Sequence, residues 1–218
     1  MNRAEEDYIK TIYELTIEKN QTLIKSVDLV ERFGYSDQSV NEMVKKLVAK
    51  HLVNFIPYKG ISLTAKGKKV AIRMIRAHRI WEVFLTSRLG YSWESVHEDA
   101  EKLEHATSDE VIERLFKFLG EPKFCQHGNP IPDLKGHMEL PETHTLFEAS
   151  VSDTFELTRV LDVKELLIYL NDIHLKLYDK IVILNKDDFN EMIRIKNKNE
   201  EISISYKTAK MLFGKQSN

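Results

Sequence analysis

Residues 26–64 read SVDLVERFGYSDQSVNEMVKKLVAKHLVNFIPYKGISLT, and the order of elements they encode decides the fold. Ser26 stands where a helix N-cap accepts from the free amides of the first turn, and SVDLVERF follows as a short helix. Gly34 stops it, because glycine readily takes the left-handed conformation found after a helix C-terminus. Ser36 caps the next helix, which runs to about His51 with Val40, Met43, Val44, Leu47 and Val48 as its apolar stripe. Two β-prone runs, Val53 to Ile56 and Ile61 to Thr64, then flank Pro57-Tyr58-Lys59-Gly60, a turn suited to a tight hairpin. Helix, short turn, helix and hairpin is the winged helix-turn-helix order, in which the second helix enters the DNA major groove.

The apolar stripe accounts for one face of that second helix. Its other face presents Ser36, Gln38, Ser39, Asn41, Glu42, Lys45 and Lys46, base-edge hydrogen-bonders near the N-terminus and phosphate partners farther along. Lys59 at the hairpin tip, with Lys66, Lys68 and Lys69 beyond it, adds contacts to the DNA backbone.

Upstream, Arg3 to Lys19 carries Tyr8, Ile9, Ile12, Tyr13 and Leu15 at helical spacings and forms an amphipathic helix. Downstream, Thr64 caps a long helix from Ala65 to about Leu89, ended by Gly90. Helices near Ser92–His105 and Ser108–Leu119 follow, the second opened by a capping box over Thr107-Ser108-Asp109-Glu110. Its apolar face of Val111, Ile112, Leu115, Phe116, Phe118 and Leu119 serves either as core or as a dimer contact. From Gly120 to about Thr145 the proline-rich chain is a linker or functional loop. Beyond Leu146, FELTRVL, KIVIL, EMIRIK and EISISY read as strands and VKELLIYLNDI as a helix, a small β-rich unit.

Composition narrows the function. With 42% hydrophobic and 30% charged residues among 218, the chain can bury a core. It has no apolar run of membrane-spanning length and no basic-then-apolar N-terminal layout, so no membrane partner and a cytoplasmic location are expected. Its one cysteine, Cys125, has no internal partner, which fits a reducing compartment. Residues 1–80 carry 15 Lys/Arg against 9 Asp/Glu, whereas residues 81–150 carry 6 against 14. A basic N-terminal part suits phosphate, and an acidic middle suits a cation.

Candidate ligands for that cation cluster by spacing. His78 and Glu82 stand four apart on the long helix, and Glu101, Glu104 and His105 stand at i, i+3 and i+4, so each set shares a helix face. Carboxylate oxygens with imidazole nitrogens favour a divalent first-row ion over a thiolate-type structural zinc. Cys125 and His127 form a second, loop-borne pair. A metalloenzyme is disfavoured, because a site filled by protein ligands leaves no open position for substrate and no nucleophile–base motif is present.

The segments AEEDYIKTIYEL, the helix-turn-helix with its wing, LTAKGKKVA, RAHRIWEVFL, VHEDAEKLEHATSDEVIERL and GNPIP, in that order, resemble the DtxR/MntR family of metal-dependent transcriptional repressors over nearly the whole chain. The resemblance implies a mainly α fold with small β parts: a winged helix-turn-helix domain over 1–72, a helical metal-binding and dimerisation domain over 73–140, and an SH3-like (FeoA-like) β-barrel domain over 146–218. It implies a first metal site from Asp7, His78, Glu101, Glu104 and His105, and a second from Glu82, Cys125, His127 and Asp162. His97 matches a ligand of iron-type relatives. Lys10 falls on a family ligand position and cannot bind metal, which argues against a binuclear first site. Asp7 and Glu101 stand where iron-type relatives carry Met and Cys, which favours Mn(II), with Fe(II) second and Zn(II) or Cd(II) as surrogates. The implied partners are double-stranded operator DNA and a second copy of the chain, and the implied function is repression of metal-uptake genes. A winged-helix regulator that metal does not activate is the alternative.

Overall fold

A computed structural model describes residues 1–18, 21–139 and 141–217. Two compact units emerge: the first combines Met1–His78 with Leu103–Thr107 and Pro132–His137, and the second combines Arg79–Lys102, Ser108–Ile131 and Met138–Asn218.

The first unit opens with α1 (Arg3–Glu18), α2 (Ser26–Phe33) and α3 (Asp37–Ala49), followed by a hairpin of β1 (Val53–Ile56) and β2 (Gly60–Leu63). Lys19, where the sequence expectation ended the first helix, lies outside the described residues. Ile9, Ile12 and Leu15 of α1, Leu29 of α2 and Val40, Val44 and Leu47 of α3 are buried, so the expected stripes become the core. Val48 is the exception, on the exposed edge of its helix.

Ser36 caps α3, accepting from Ser39 N at 3.3 Å, and Gly34 closes α2 at φ 68°. Ser26 does not cap α2. Lys25 is the N-cap instead, and its own amide donates to the Asp28 carboxylate at 2.7 Å, so the side chain of the first turn satisfies the donor of the cap. The hairpin pairs Val53 with Leu63 and Ile56 with Gly60, and Ile24 joins it through reciprocal amide bonds with Ile61 at 3.0 and 2.8 Å. Gly60 is required there: at φ 146° a Cβ would lie 2.5 Å from the Ile24 carbonyl oxygen. Thr64 caps α4 (Ala65–Leu89), accepting from Gly67 N at 3.0 Å.

After α4, the helix expected from Ser92 begins only at His97, giving α5 (His97–Ala106). Ser108 caps α6 (Asp109–Phe118) by accepting from Val111 N at 3.4 Å, so the expected capping box over Thr107–Glu110 is replaced by a single serine cap. Of the apolar face of α6 only Ile112 is buried, while Val111 and Phe118 are exposed. No described helix is long and apolar enough to cross a membrane.

The C-terminal strands form one antiparallel sheet in the order β3-β8-β4-β5-β6-β7, with β3 (His144–Thr145), β4 (Thr154–Val160), β5 (Lys180–Asp187), β6 (Met192–Asn197), β7 (Glu200–Ser205) and β8 (Leu212–Ser217). Helices α7 (Lys164–Asp172) and α8 (Tyr206–Ala209) accompany it. Alternation places Ile193 and Ile195 of β6 inward with Phe155, Leu157, Ile181, Ile183, Leu167 and Leu170 in a continuous core. The SH3-like expectation holds in strand content, but among the described residues β3 and β7 are unpaired edges, so the sheet is open and not a closed barrel.

Candidate metal centres and DNA-reading face

In the first unit, α1 and the end of α5 carry the first cluster. Asp7, Glu104 and His105 each offer a ligand atom, all within 4.8 Å of one another. Asp7 and His105 are partly buried, while Glu104 is fully buried. His105 Nδ1 lies 2.7 Å from Glu6 Oε2, and its Nε2 lies 2.8 Å from Asp7 Oδ1. A ring that donates from Nδ1 to Glu6 turns an Nε2 lone pair toward a second carboxylate, the tautomer a metal requires. That buried Nε2 makes no aligned hydrogen bond among the described residues. Carboxylate and imidazole lone pairs facing each other across buried space form a donor set that a cation satisfies.

His78, from α4, sits behind this group. Its Nδ1 contacts Glu104 Oε2 at 2.5 Å, and the Lys10 ammonium lies 3.2 Å from the same nitrogen and 3.0 and 2.8 Å from the two Glu104 oxygens. A buried monovalent cation thus already neutralises one face of Glu104. Arg73 holds the end of α5 by donating to the Thr107 carbonyl at 2.5 Å. Glu101 precedes Glu104 by one turn of α5, and in the second unit its Oε2 lies 3.9 Å from His97 Nε2.

The second unit assembles the second cluster. Glu82, Cys125 and His127 are all buried with ligand atoms within 4.8 Å of one another, and Glu82, His97 and Asp162 meet the same criterion. Asp162 enters because β4 ends at Val160 and α7 starts at Lys164, leaving it on the connection. His127 Nε2 is 2.8 Å from the Trp93 carbonyl. A carbonyl only accepts, so Nε2 carries hydrogen and Nδ1 is the nitrogen left to face an ion; it lies 3.1 Å from Glu82 Oε1 and 3.6 Å from Asp162 Oδ1. Burial alone would lower the His127 pKa, but the Glu82 carboxylate, with Cys125 and Asp162, pushes it up to about 12. Burial and then Glu82 raise the Cys125 thiol.

The loop carrying these ligands is fixed by its backbone. Cys125 N donates to Asn129 O at 2.9 Å, Val160 N to His127 O at 3.0 Å, and Asn129 Nδ2 to Val160 O at 3.1 Å. Gly128, at φ 75°, runs so close to β4 that a Cβ would meet Thr158 O at 2.1 Å.

The residues expected to read DNA, Ser36, Gln38, Ser39, Asn41, Glu42, Lys45, Lys46 and Lys59, are all exposed. Gln38 donates to Glu42 at 3.2 Å. Lys46 is also held by the buried Glu5 carboxylate of α1, at 2.9 Å. Sequence spacing had no signal for the Trp93 carbonyl or the Glu5 ion pair; Glu6, beside Asp7, was the one partner that adjacency could have suggested.

A winged-helix reader of nucleic acid that also carries buried carboxylate–imidazole clusters defines a metal-dependent DNA-binding regulator. The chain belongs to the iron-dependent repressor family, a family of metal-dependent transcriptional repressors and not of enzymes. Residues 1–61 match its N-terminal DNA-binding domain, 64–133 its metal-binding and dimerisation domain, and 144–216 a FeoA domain. The solved structure of the manganese regulator SloR is 36% identical with a TM-score of 0.86, covering 98% of each chain. ScaR with bound Cd2+ is likewise 36% identical, TM-score 0.86, over 97% of this chain and 98% of that one. An HTH-type transcriptional regulator of Methanocaldococcus jannaschii is 40% identical over 119 residues, 55% of this chain and 94% of that protein. The iron-dependent repressor IdeR of Mycobacterium leprae is 36% identical over 129 residues, a match covering 59% of this chain and 55% of the length of IdeR.

Proposed function

We propose that this chain is a metal-activated repressor that binds double-stranded operator DNA as a homodimer and controls metal-uptake genes. Its activating ion is Mn(II), with Fe(II) second and Zn(II) or Cd(II) as surrogates. In this reading the winged-helix domain spans 1–72, the metal-binding and dimerisation domain 73–140, and the C-terminal domain 146–218. The observation that carries the proposal is the first cluster: Asp7 on α1 brought to Glu104 and His105 on α5, with a buried imidazole nitrogen turned toward carboxylate oxygen. Hard oxygen donors with one or two imidazoles suit Mn(II). The similarity to the manganese regulator SloR supports the same choice.

Asp7, Glu104 and His105, with Glu101 and His78, would hold the first ion; Glu82, Cys125, His127 and Asp162 the second. Bound there, the ion supplies positive charge that pulls carboxylates of separate helices together. The chain's own residues do the rest. Glu6 orients the His105 ring, Arg73 pins the end of α5, and Lys10 already places one positive charge beside Glu104 and His78, which disfavours a second ion there. Fastening α1 to α5 restricts the motion of the reading helix, and a dimer needs two such helices about 34 Å apart to enter successive major grooves. By linkage, DNA then tightens metal binding by the same factor that metal tightens DNA binding.

Equilibrium dialysis against Mn(II) tests the assignment. The parent retains two ions per chain, Asp7→Ala loses one and Cys125→Ala loses the other. A parent protein that retains none refutes the reading.

A further inference from the structure

Glu5 is one residue removed from the cluster-facing pair Glu6 and Asp7, yet it faces the other way. Its side chain is fully buried, and its oxygens accept from Lys50 Nζ at 2.7 and 2.8 Å and from Lys46 Nζ at 2.9 Å, both lysines belonging to the C-terminal end of the recognition helix. It is also built into the start of α1: its amide donates to Asn2 Oδ1 at 3.0 Å, and its carboxylate accepts from Asn2 N at 3.2 Å. This reciprocal capping box fixes the Glu5 rotamer to the helix axis.

We infer that Glu5 is a positioning residue that couples metal binding to DNA reading, by locking the recognition helix α3 to the same helical turn that holds the first metal cluster. The inference rests on the metal-activated reading above. The Glu5 carboxylate does not release the two ammonium groups cheaply, because it would be left buried without a counter-ion while the half-exposed lysines returned to water. Consecutive residues of α1 therefore grip two different structures, Glu5 the recognition helix and Glu6 with Asp7 the His105 ring. A displacement of α1 toward α5 is transmitted to α3 as a rigid-body movement. Removing this ion-pair cluster removes that polar tie between α1 and α3, and packed helices without such a tie can slide.

Lys46 gains a second role. It was expected to meet phosphate, and its tether to Glu5 aligns its ammonium on the DNA-facing surface while leaving it half exposed. Lys50, at the C-cap of α3 and outside the candidate DNA-contact set, is the purer part of the connection.

The test compares parent, Glu5→Gln and Lys50→Met on a duplex that the parent selects from a random library with Mn(II) present. Kd is measured by fluorescence anisotropy with saturating Mn(II) and again with chelator. A merely structural role lowers both affinities equally. The coupling role lowers the ratio of the two Kd values by roughly 2- to 30-fold in each variant, while manganese content at saturation stays at the parent level. Should Glu5→Gln fail to fold, Lys50→Met decides, since its half-exposed side chain can be replaced without opening the core. A parent with a metal-dependent gain, and variants with an unchanged ratio, overturn the coupling role alone. A parent with no such gain overturns the metal-activated reading and this inference with it.

Discussion

Replacing Gly128 by alanine should disable the second metal centre while leaving the first intact. The residue sits at φ 75°, where a side chain costs about 1–2 kcal/mol relative to glycine. Its new Cβ would lie 2.1 Å from Thr158 O and 2.9 Å from Arg159 Cα, against ordinary contact beyond 3.4 Å, so loop or strand must shift by about 1.3 Å. Both obstacles are backbone, so the loop moves and strains the bonds Val160 N–His127 O and Asn129 Nδ2–Val160 O. At about 1 kcal/mol each, the total reaches about 3–4 kcal/mol. A melting decrease on the order of 5–15 °C follows for a chain of this size. Metal affinity at Glu82, Cys125 and His127 should fall about 10- to 100-fold, since ligands held a fraction of an ångström out of place bind poorly. Calorimetric melting and metal content after dialysis read both effects. A Gly128→Ala protein that melts with the parent and keeps its full metal content would refute the reasoning.

Three further outcomes follow from the same geometry. Because its neighbouring carboxylates hold His127 protonated up to about 12 and burial keeps the Cys125 thiol protonated, metal must displace both protons; titration calorimetry in buffers of different ionisation enthalpy should show about two protons released per ion at this centre, with affinity rising as pH rises, and buffer-independent heats would contradict it. Hydrogen bonds from Lys50 and Lys46 hold the Glu5 carboxyl at about 2 instead of 4.5, so its contribution to stability is complete above about pH 4.5 and is lost as pH falls toward 2; Glu5→Gln should flatten that acid limb of the denaturation profile, and an unchanged limb would count against the ion pairs. Asn41→Ala should cost about 1–3 kcal/mol at one base pair of the operator and relax the preference there, whereas Lys59→Ala should weaken all sequences alike and reduce the salt slope by about one; anisotropy over a salt series separates the two.

Much of the DNA-reading head was legible because local chemistry fixes it. Ser36, Gly34 and Thr64 cap where side-chain oxygen or a missing Cβ dictates, and α4 runs over the span its periodicity predicts. Ser26 misled because Lys25 lets its backbone, not its side chain, find a partner in Asp28, an exchange that residue preference alone does not reveal. β8 went unread: Leu212, Phe213, Gly214 and Lys215 do not alternate, and Gly214 is there because a Cβ would lie 2.1 Å from Glu156 O of the paired strand. The clusters divide similarly. Spacing on one helix exposed Glu104 and His105, and the family resemblance supplied Asp7 and Asp162. The Lys10–Glu104–His78 contacts and the Trp93 carbonyl that sets the His127 tautomer depend on residues brought together from distant parts of the chain, which no local pattern records.

The central claim is that an ion between α1 and α5 controls the reading head. Its most direct test is anisotropy on the selected duplex, with the metal-free protein titrated by Mn(II) beside Asp7→Ala. The parent should gain at least tenfold in affinity, an allosteric coupling of about 1.4 kcal/mol or more, and Asp7→Ala should gain little. Equal binding by the metal-free and metal-loaded parent, or an undiminished gain in Asp7→Ala, would contradict it.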